Sequence, residues 1–188
     1  GWPRPQNWAW QQTARWISDT DGLPPFWFWW EPDAIPLRKG WLDAIRDAHQ
    51  GGGRPFAGAV VNHPQGQYMA GVGVYPKNAA NLLLTAMRIQ AHPFDIVGGI
   101  VDRGVKEVTD ISAILAHRVA DNTRNHYFTP NNYEQLVPKG SVMFHPNKDG
   151  SLLAMLKGGV KPKKPLAKVV EGRANRFHHS GDLGDVVY

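Results

Sequence analysis

The sequence predicts an α/β fold, or an α+β fold with a mixed sheet, in a single domain. Its 188 residues are 42% hydrophobic and 20% charged, which is ordinary for a globular chain with a sizeable core. Apolar stretches bounded by glycine and proline predict strands, and segments with apolar residues three and four apart predict helices. Because the two kinds of segment alternate along the chain, these two fold classes are favoured.

The N-terminal part predicts a helix, a strand and a second helix. Asn7 is a candidate N-cap for a helix running to about Ser18. After the turn-rich "DTDGLPP", the aromatic run "FWFWW" (26–30) predicts a strand buried on both faces. The residues from Leu37 to Gln50 predict a helix, which "QGGGRP" ends.

The remainder continues the alternation. We expect strands at "FAGAVVN" (56–62) and "YMAGVGVYP" (68–76), separated by the turn "HPQGQ". Within the second strand, Gly71 and Gly73 indicate close approach either by a ligand or by neighbouring chain. The later segments are a helix at 78–92, a strand or loop at "PFDIVGGIVDRGV" (93–105), a helix at "DISAILAHRVAD" (110–121) capped by Asp110, and a strand, turn and short helix at 140–156.

Composition limits the chemistry that is available. Cysteine is absent, so any metal must be held by Asp, Glu, His or backbone oxygens. We see no signal peptide and no apolar run of about 20 residues, and we therefore expect a cytoplasmic protein without a membrane span. Much of the net charge of +5 lies in residues 157–188, which we expect to form a basic, extended C-terminal arm. A solvated tail and a contact with nucleic acid are both open for it.

Two carboxylates follow the aromatic run in "WFWWEPDAIPLRKGW". In an extended chain, residues two apart point the same way, so Glu31 and Asp33 would present their oxygens together. Two close carboxylates repel each other unless a cation lies between them, and hard divalent ions prefer oxygen ligands. The alternative is that these acids are solvated at the end of a strand and pair with Arg38 and Lys39.

The segment "FWFWWEPDAIPLRKGWLDAI" resembles the stretch around the D-x-D motif of GT-A-type glycosyltransferases, in particular a phage and bacterial subgroup. Further similar segments follow the same order: "GWPRPQNWAWQQTAR", "RPFAGAVV", "GVGVYP", "PFD", "TDISAILAH" and "MFHPNKDGSL". The resemblance covers roughly residues 1–156 and implies a GT-A-like (Rossmann-like) catalytic domain, a mixed sheet flanked by helices. Two departures are the Glu in place of the usual first Asp and the short stretch before the motif. We therefore expect the N-terminal nucleotide-binding unit to be missing or supplied by a partner chain.

The resemblance also implies a site. Glu31 and Asp33 would hold Mn²⁺ or Mg²⁺ against the diphosphate of a nucleotide-sugar donor, and His145 would complete the metal site unless it is structural. Lys148 and backbone N–H groups near Gly150 and Ser151 would meet the phosphates. The function implied is sugar transfer in a bacterial or phage-infected cell to an unknown acceptor, whether a glycan, a nucleic acid or a small molecule.

Other residues have two interpretations each. Asp95 and Asp110 are candidate general bases, although Asp110 also fits a helix N-cap. Asn7 and Arg4 are within expected reach of the donor, and His117 fits either a helix face or catalysis. The tryptophan cluster fits a core or a stacking surface. The alternative function is a non-catalytic, degenerate transferase-fold module that binds glycan, nucleic acid or a partner protein.

Overall fold

The computed structural model of the protein describes residues 4–84, 88, 92–118 and 128–158, in which helices and strands alternate as the sequence predicts. The helices are α1 (Arg4–Asp19), α2 (Trp41–Gly52), α3 (Ala79–Leu82), α4 (Phe94–Val97), α5 (Tyr133–Leu136) and α6 (Ser151–Leu156), with a π-helical turn at Gly98–Arg103 and a 3-10 turn at Val105–Glu107. The strands are β1 (Phe26–Trp29), β2 (Ile35–Pro36), β3 (Phe56–His63), β4 (Gly66–Pro76), β5 (Val108–Asp110), β6 (Leu115–His117) and β7 (Met143–His145).

The larger sheet has the strand order β1-β4-β3-β5. The β3–β4 hairpin is its centre, β1 adds antiparallel to β4, and β5 adds parallel to β3. A Cβ on Gly73 would lie 2.5 Å from the carbonyl oxygen of Ala57, so at this position the close approach is by neighbouring backbone. The two central strands predicted from the sequence are confirmed.

The smaller sheet has the order β2-β7-β6. β2 pairs antiparallel with β7, whereas β6 pairs parallel with it. The parallel register places His117 directly beside His145. The fold is therefore mixed α/β with two mixed sheets flanked by helices, where the sequence analysis expected one sheet.

The larger sheet is covered on both faces. On one face, Trp10 of α1 stacks on Phe94 at a centroid distance of 4.7 Å and meets the edge of Tyr75 at 5.7 Å. On the other face, Ile45 of α2 belongs to a second apolar cluster with Val72 and neighbouring residues of the sheet. Successive strand residues point to opposite faces, so strands buried on both sides read as continuous apolar runs.

The aromatic strand is less buried than predicted. β1 is an edge strand that pairs only with β4 among the described residues, and Phe26 is 41% exposed. Trp10 is fully buried, but Trp8 and Trp16 lie on the outer side of α1. The core interpretation of the tryptophans is therefore confirmed for Trp10 and wrong for these two.

The interpretation of Asn7 as an N-cap is wrong. α1 already includes Arg4, and proline at position 5 is tolerated in a first helical turn. Asn7 lies on the buried face of α1, where its side chain donates to the carbonyl of His92 (2.7 Å) and accepts from the N–H of Phe94 (3.0 Å). It therefore ties α1 to the start of α4.

Two further element predictions are wrong. Residues 93–105, expected as strand or loop, are mostly helical. The segment 110–118 forms the end of β5, a turn and β6 instead of a helix, and residues 119–121 lie outside the described ranges. A short apolar run such as "ILAH" does not distinguish strand from helix, and pairing with β7 decides the outcome. Within the helix predicted at 78–92, the structure shows α3 (Ala79–Leu82), and residues 85–87 and 89–91 lie outside the described ranges, as do residues 159–188 of the predicted arm.

In the part of the chain that the structure describes, no helix has the length and apolar character required to cross a bilayer.

Candidate metal and active site

The carboxylate pair lies in a hydrogen-bonded turn between β1 and β2. The N–H of Ala34 donates to the carbonyl of Glu31 at 2.9 Å, so the expectation of an extended Glu-Pro-Asp segment is wrong. Proline fixes φ near −65° and favours the second position of such a turn. The N–H of Asn147 donates to the carbonyl of Asp33 at 2.8 Å, which ties the turn to the loop after β7.

His145 is brought to this turn by the smaller sheet. Because β2 pairs with β7, the last residue of β7 lies beside the residues that precede β2. The His145 Nε2 atom is 3.1 Å from Glu31 Oε2 and 3.3 Å from Asp33 Oδ1. One ligand atom from each of the three side chains lies within 4.8 Å of the others. The convergence that the sequence predicts for these three residues is observed.

The three side chains fit a small divalent cation. Two ligands at right angles, each about 2.1 Å from an ion, lie roughly 3 Å apart. The distances from His145 Nε2 to the two carboxylate oxygens are close to that value.

Electrostatics couple the three groups. Burial lowers the pKa of His145, but its hydrogen bonds to Asp33 and Glu31 outweigh burial and raise it to about 9. Burial raises the pKa of Asp33, but the hydrogen bond and charge of His145, together with Lys148, hold it below its usual value. Without a cation, a protonated His145 therefore supplies one positive charge between the two carboxylates.

The other carboxylate oxygen of Glu31 is held from α1. Glu31 Oε1 accepts hydrogen bonds from Gln6 Nε2 at 2.8 Å and from the indole N–H of Trp29 at 3.4 Å. Gly71 leaves the space that this oxygen occupies, because a Cβ there would be 2.8 Å from it. Of the two interpretations of Gly71, a ligand or neighbouring chain, the structure shows neighbouring chain, in the form of the Glu31, Phe94 and Asp95 side chains.

Asp95 lies next to Glu31 on the same side of Gly71. The Cβ position of Gly71 is 3.5 Å from Asp95 Oδ2, and the N–H of Gly71 donates to the Asp95 carboxylate. Burial, with the charge of Glu31 as the second cause, raises the pKa of Asp95 to about 6. Asp95 is therefore a third carboxylate of this site, with a weaker acidity than the pair.

An open cleft of about 490 Å³ runs along the carboxylate turn. Lys148 reaches it from the loop after β7, is exposed, and is close enough to Asp33 to lower its pKa. The residues that line the cleft are Gln6, Ala9, Trp29, Trp30, Glu31, Pro32, Asp33 and Lys148.

Asp110 is not brought to the site. It ends β5, at the opposite edge of the larger sheet from β1, which is three strand spacings or roughly 14 Å away. Its carboxylate accepts the backbone N–H (2.9 Å) and the hydroxyl of Ser112. The interpretation as a helix N-cap is also wrong, since no helix begins there, and we no longer assign Asp110 a catalytic role.

The backbone groups at Gly150 and Ser151 are occupied by the chain itself. The Ser151 N–H donates to Asp149 Oδ1 at 2.9 Å, and the Gly150 N–H points to the carbonyl of Asn147 at 3.4 Å. The fully buried Ser151 hydroxyl accepts from the N–H of Phe128 at 2.8 Å. We therefore withdraw these two residues as phosphate ligands.

Asn7 and Arg4, the two α1 residues expected to reach the donor, differ in their exposure to solvent. Asn7 is fully buried with both ends of its amide bonded to backbone, so it does not contact a ligand. Arg4 is exposed, and its proposed contact stays a prediction. Gln6, which the sequence analysis did not single out, is the α1 residue that contacts Glu31.

His117 is the residue that sequence reasoning misplaced. It lies on β6, not on a helix, and its Nδ1 is 2.9 Å from the Nδ1 of His145. Burial, followed by the charge of His145, lowers the pKa of His117 to about 3. The sequence carried one signal that could have related the two histidines: "LAH" and "MFH" each consist of two apolar residues followed by a histidine.

No protein-family model matches this chain, and no curated protein is significantly similar to it. The likeness to GT-A-type glycosyltransferases therefore rests on the order of the short segments, and functional inference rests on the geometry of the site.

Proposed function

We propose that this protein is a metal-dependent glycosyltransferase that moves a sugar from a nucleotide-sugar donor to an acceptor hydroxyl. The observation that carries the proposal is the convergence of Glu31, Asp33 and His145 beside an open cleft. The segment order that resembles GT-A-type enzymes adds the donor class, and the donor set of the site favours Mn²⁺.

The residues around the cleft have separate roles in this reaction. Glu31, Asp33 and His145 would hold a divalent ion, which would supply positive charge to stabilise a departing diphosphate. Lys148, at the cleft and beside Asp33, attracts the same phosphate oxygens. Gln6 orients Glu31 by holding the carboxylate oxygen that does not face His145.

Asp95 is the group that we propose as general base. Its pKa of about 6 leaves it ionised at neutral pH, yet basic enough to accept the proton of an acceptor hydroxyl.

Trp30 provides a surface for a ring. It is 52% exposed beside the carboxylate turn, and its indole N–H donates to the carbonyl of Ala34 at 2.8 Å, which fixes its orientation. Indole faces stack on sugars and bases, so we assign Trp30 to packing against the donor or acceptor.

The test is thermal unfolding with Mn²⁺ and a nucleoside diphosphate. A ligand that binds only the native state at about 100 times its Kd adds about 2.7 kcal/mol, which is roughly 5–10 °C in Tm for a chain of this size. We expect such a shift with Mn²⁺ plus UDP or GDP, and we expect Asp33→Ala to abolish it.

The matched control is Asp43→Ala. Asp43 is an exposed carboxylate on α2 that pairs with Arg46 at 2.8 Å, and its removal should leave the shift intact. Retention of the full shift in Asp33→Ala would place the ligand elsewhere. If no nucleoside diphosphate shifts the wild-type Tm, the protein is instead the non-catalytic module.

A further inference from the structure

The two histidines at the ends of β6 and β7 form a direct contact. His117 and His145 are register partners in parallel strands, so their side chains leave the smaller sheet on the same face. Their rings are 4.9 Å apart between centroids, and their Nδ1 atoms are 2.9 Å apart. That distance is a hydrogen bond, in which one nitrogen donates a proton and the other accepts it.

Two arrangements satisfy this bond. In the first, His145 donates its Nδ1–H to a neutral His117, whose own proton is then on Nε2. In the second, His117 donates its Nδ1–H to His145, and the proton of a neutral His145 is on Nε2.

Only the first arrangement prepares His145 to bind a cation. His145 Nε2 faces two carboxylate oxygens, at 3.1 and 3.3 Å. Because ionised carboxylate oxygens only accept hydrogen bonds, Nε2 is the donor in these contacts when no cation is bound. In the first arrangement, loss of that single proton leaves a neutral imidazole with its Nε2 lone pair directed at the site. In the second, the same loss leaves an imidazolate, so a cation would require both protons of the pair to move.

We infer that His117 is a positioning residue for the metal site: it accepts the Nδ1–H of His145 and so keeps Nε2 of His145 available as a ligand. The inference rests on the proposed metal site. Metal-binding histidines commonly donate their second N–H to a carboxylate, a carbonyl or water, and here a second imidazole takes that place.

The first measurement is the affinity for Mn²⁺ alone, by titration calorimetry or from the electron paramagnetic resonance signal of unbound Mn²⁺. His117→Leu removes the acceptor, and we expect its affinity to fall about 10- to 100-fold. His117→Asn keeps a side-chain oxygen near the position of Nδ1, and we expect it to restore most of the affinity. A surface histidine, His63→Leu, is the control, because it lies at the β3–β4 turn, five residues along β4 from Gly71, or roughly 17 Å.

The second measurement needs no variant to fold. In ¹⁵N-labelled wild-type protein with Zn²⁺ as a diamagnetic probe, two-bond ¹⁵N–¹H correlations report which ring nitrogens carry protons. We expect a proton on Nδ1 of His145 and on Nε2 of His117. A proton on Nδ1 of His117 overturns the inference, as does unchanged Mn²⁺ affinity in His117→Leu. If the wild type binds no Mn²⁺ at all, the proposed metal site fails and this role of His117 fails with it.

Discussion

Four carboxylates among the described residues form two contrasting pairs, which differ in what their oxygens accept. Asp110 and Asp149 each accept the N–H and the hydroxyl of the serine two residues later, in "DIS" and "DGS". Glu31 and Asp33 have no serine at that spacing and converge on His145. The comparison teaches that an Asp-x-Ser turn occupies one carboxylate oxygen within the turn itself, whereas Glu31 and Asp33 direct an oxygen at a residue distant in sequence.

The largest expected effect is on the rate of sugar transfer, which should depend on Asp95 and not on Asp110. With Asp95 as general base, Asp95→Asn should lower the rate of sugar transfer about 10²- to 10⁴-fold, because a carboxamide does not accept the proton. Asp110→Asn should leave the rate near that of the wild type. The measurement is turnover with a nucleotide-sugar donor under saturating Mn²⁺. Equal losses in both variants would contradict the assignment of Asp95 as the general base.

The same Asp95 variant should be more stable than the wild type at pH 8. The pKa of Asp95 is raised from 3.8 to about 6, so its ionisation destabilises the folded state, by an amount that grows between these two pH values and is constant above them. Asn should therefore gain on the order of 2 kcal/mol in the free energy of unfolding at pH 8, and this gain should vanish below about pH 4. Urea unfolding of the two proteins at both pH values measures it. A gain that does not change with pH would contradict this account.

The second expected effect is a pH dependence of Mn²⁺ affinity, because a cation must displace a proton from His145. The pKa of His145 is raised to about 9, so its stabilising charge is fully present below 6.5 and is lost as the pH rises through about 9. Between pH 7 and 9, Mn²⁺ affinity should rise about tenfold per pH unit, since binding releases one proton. Calorimetry in two buffers of different ionisation enthalpy checks the proton count. An affinity that is flat over this range would exclude His145 as a ligand.

The smallest effect on the site should come from Gly71→Ala. The new methyl group would lie 2.8 Å from Glu31 Oε1, the end of a side chain that can shift, so the fold should persist while Mn²⁺ affinity falls about tenfold. The control is Gly73→Ala, whose methyl group would meet the backbone oxygen of Ala57 at 2.5 Å and should cost about 1–3 kcal/mol of stability. If Gly71→Ala were the less stable of the two, Gly71 would be a packing residue.

Much of the fold could be predicted because it depends on local patterns. β3 and β4 are rich in residues that favour strands and are bounded by glycine and proline, and the helix after Gly40 ends at Gly53 in a left-handed conformation. The segment 110–118 could not be predicted in this way, because a few apolar residues fit a helix and a strand equally well. The pairing of β6 with β7 favours the strand.

The sequence by itself determined that two acids follow the aromatic strand and that any metal must be held by Asp, Glu, His or backbone oxygens, because residue identity fixes the available ligand atoms. The tertiary structure alone decided which residues meet. His117 and His145 are 28 residues apart and touch only because two strands pair in parallel register. Glu31 and Asp95 share the space above Gly71 only because α1 and β4 hold them there. Side-chain convergence depends on which distant strands pair and on how distant segments pack. A local sequence pattern does not specify either of these.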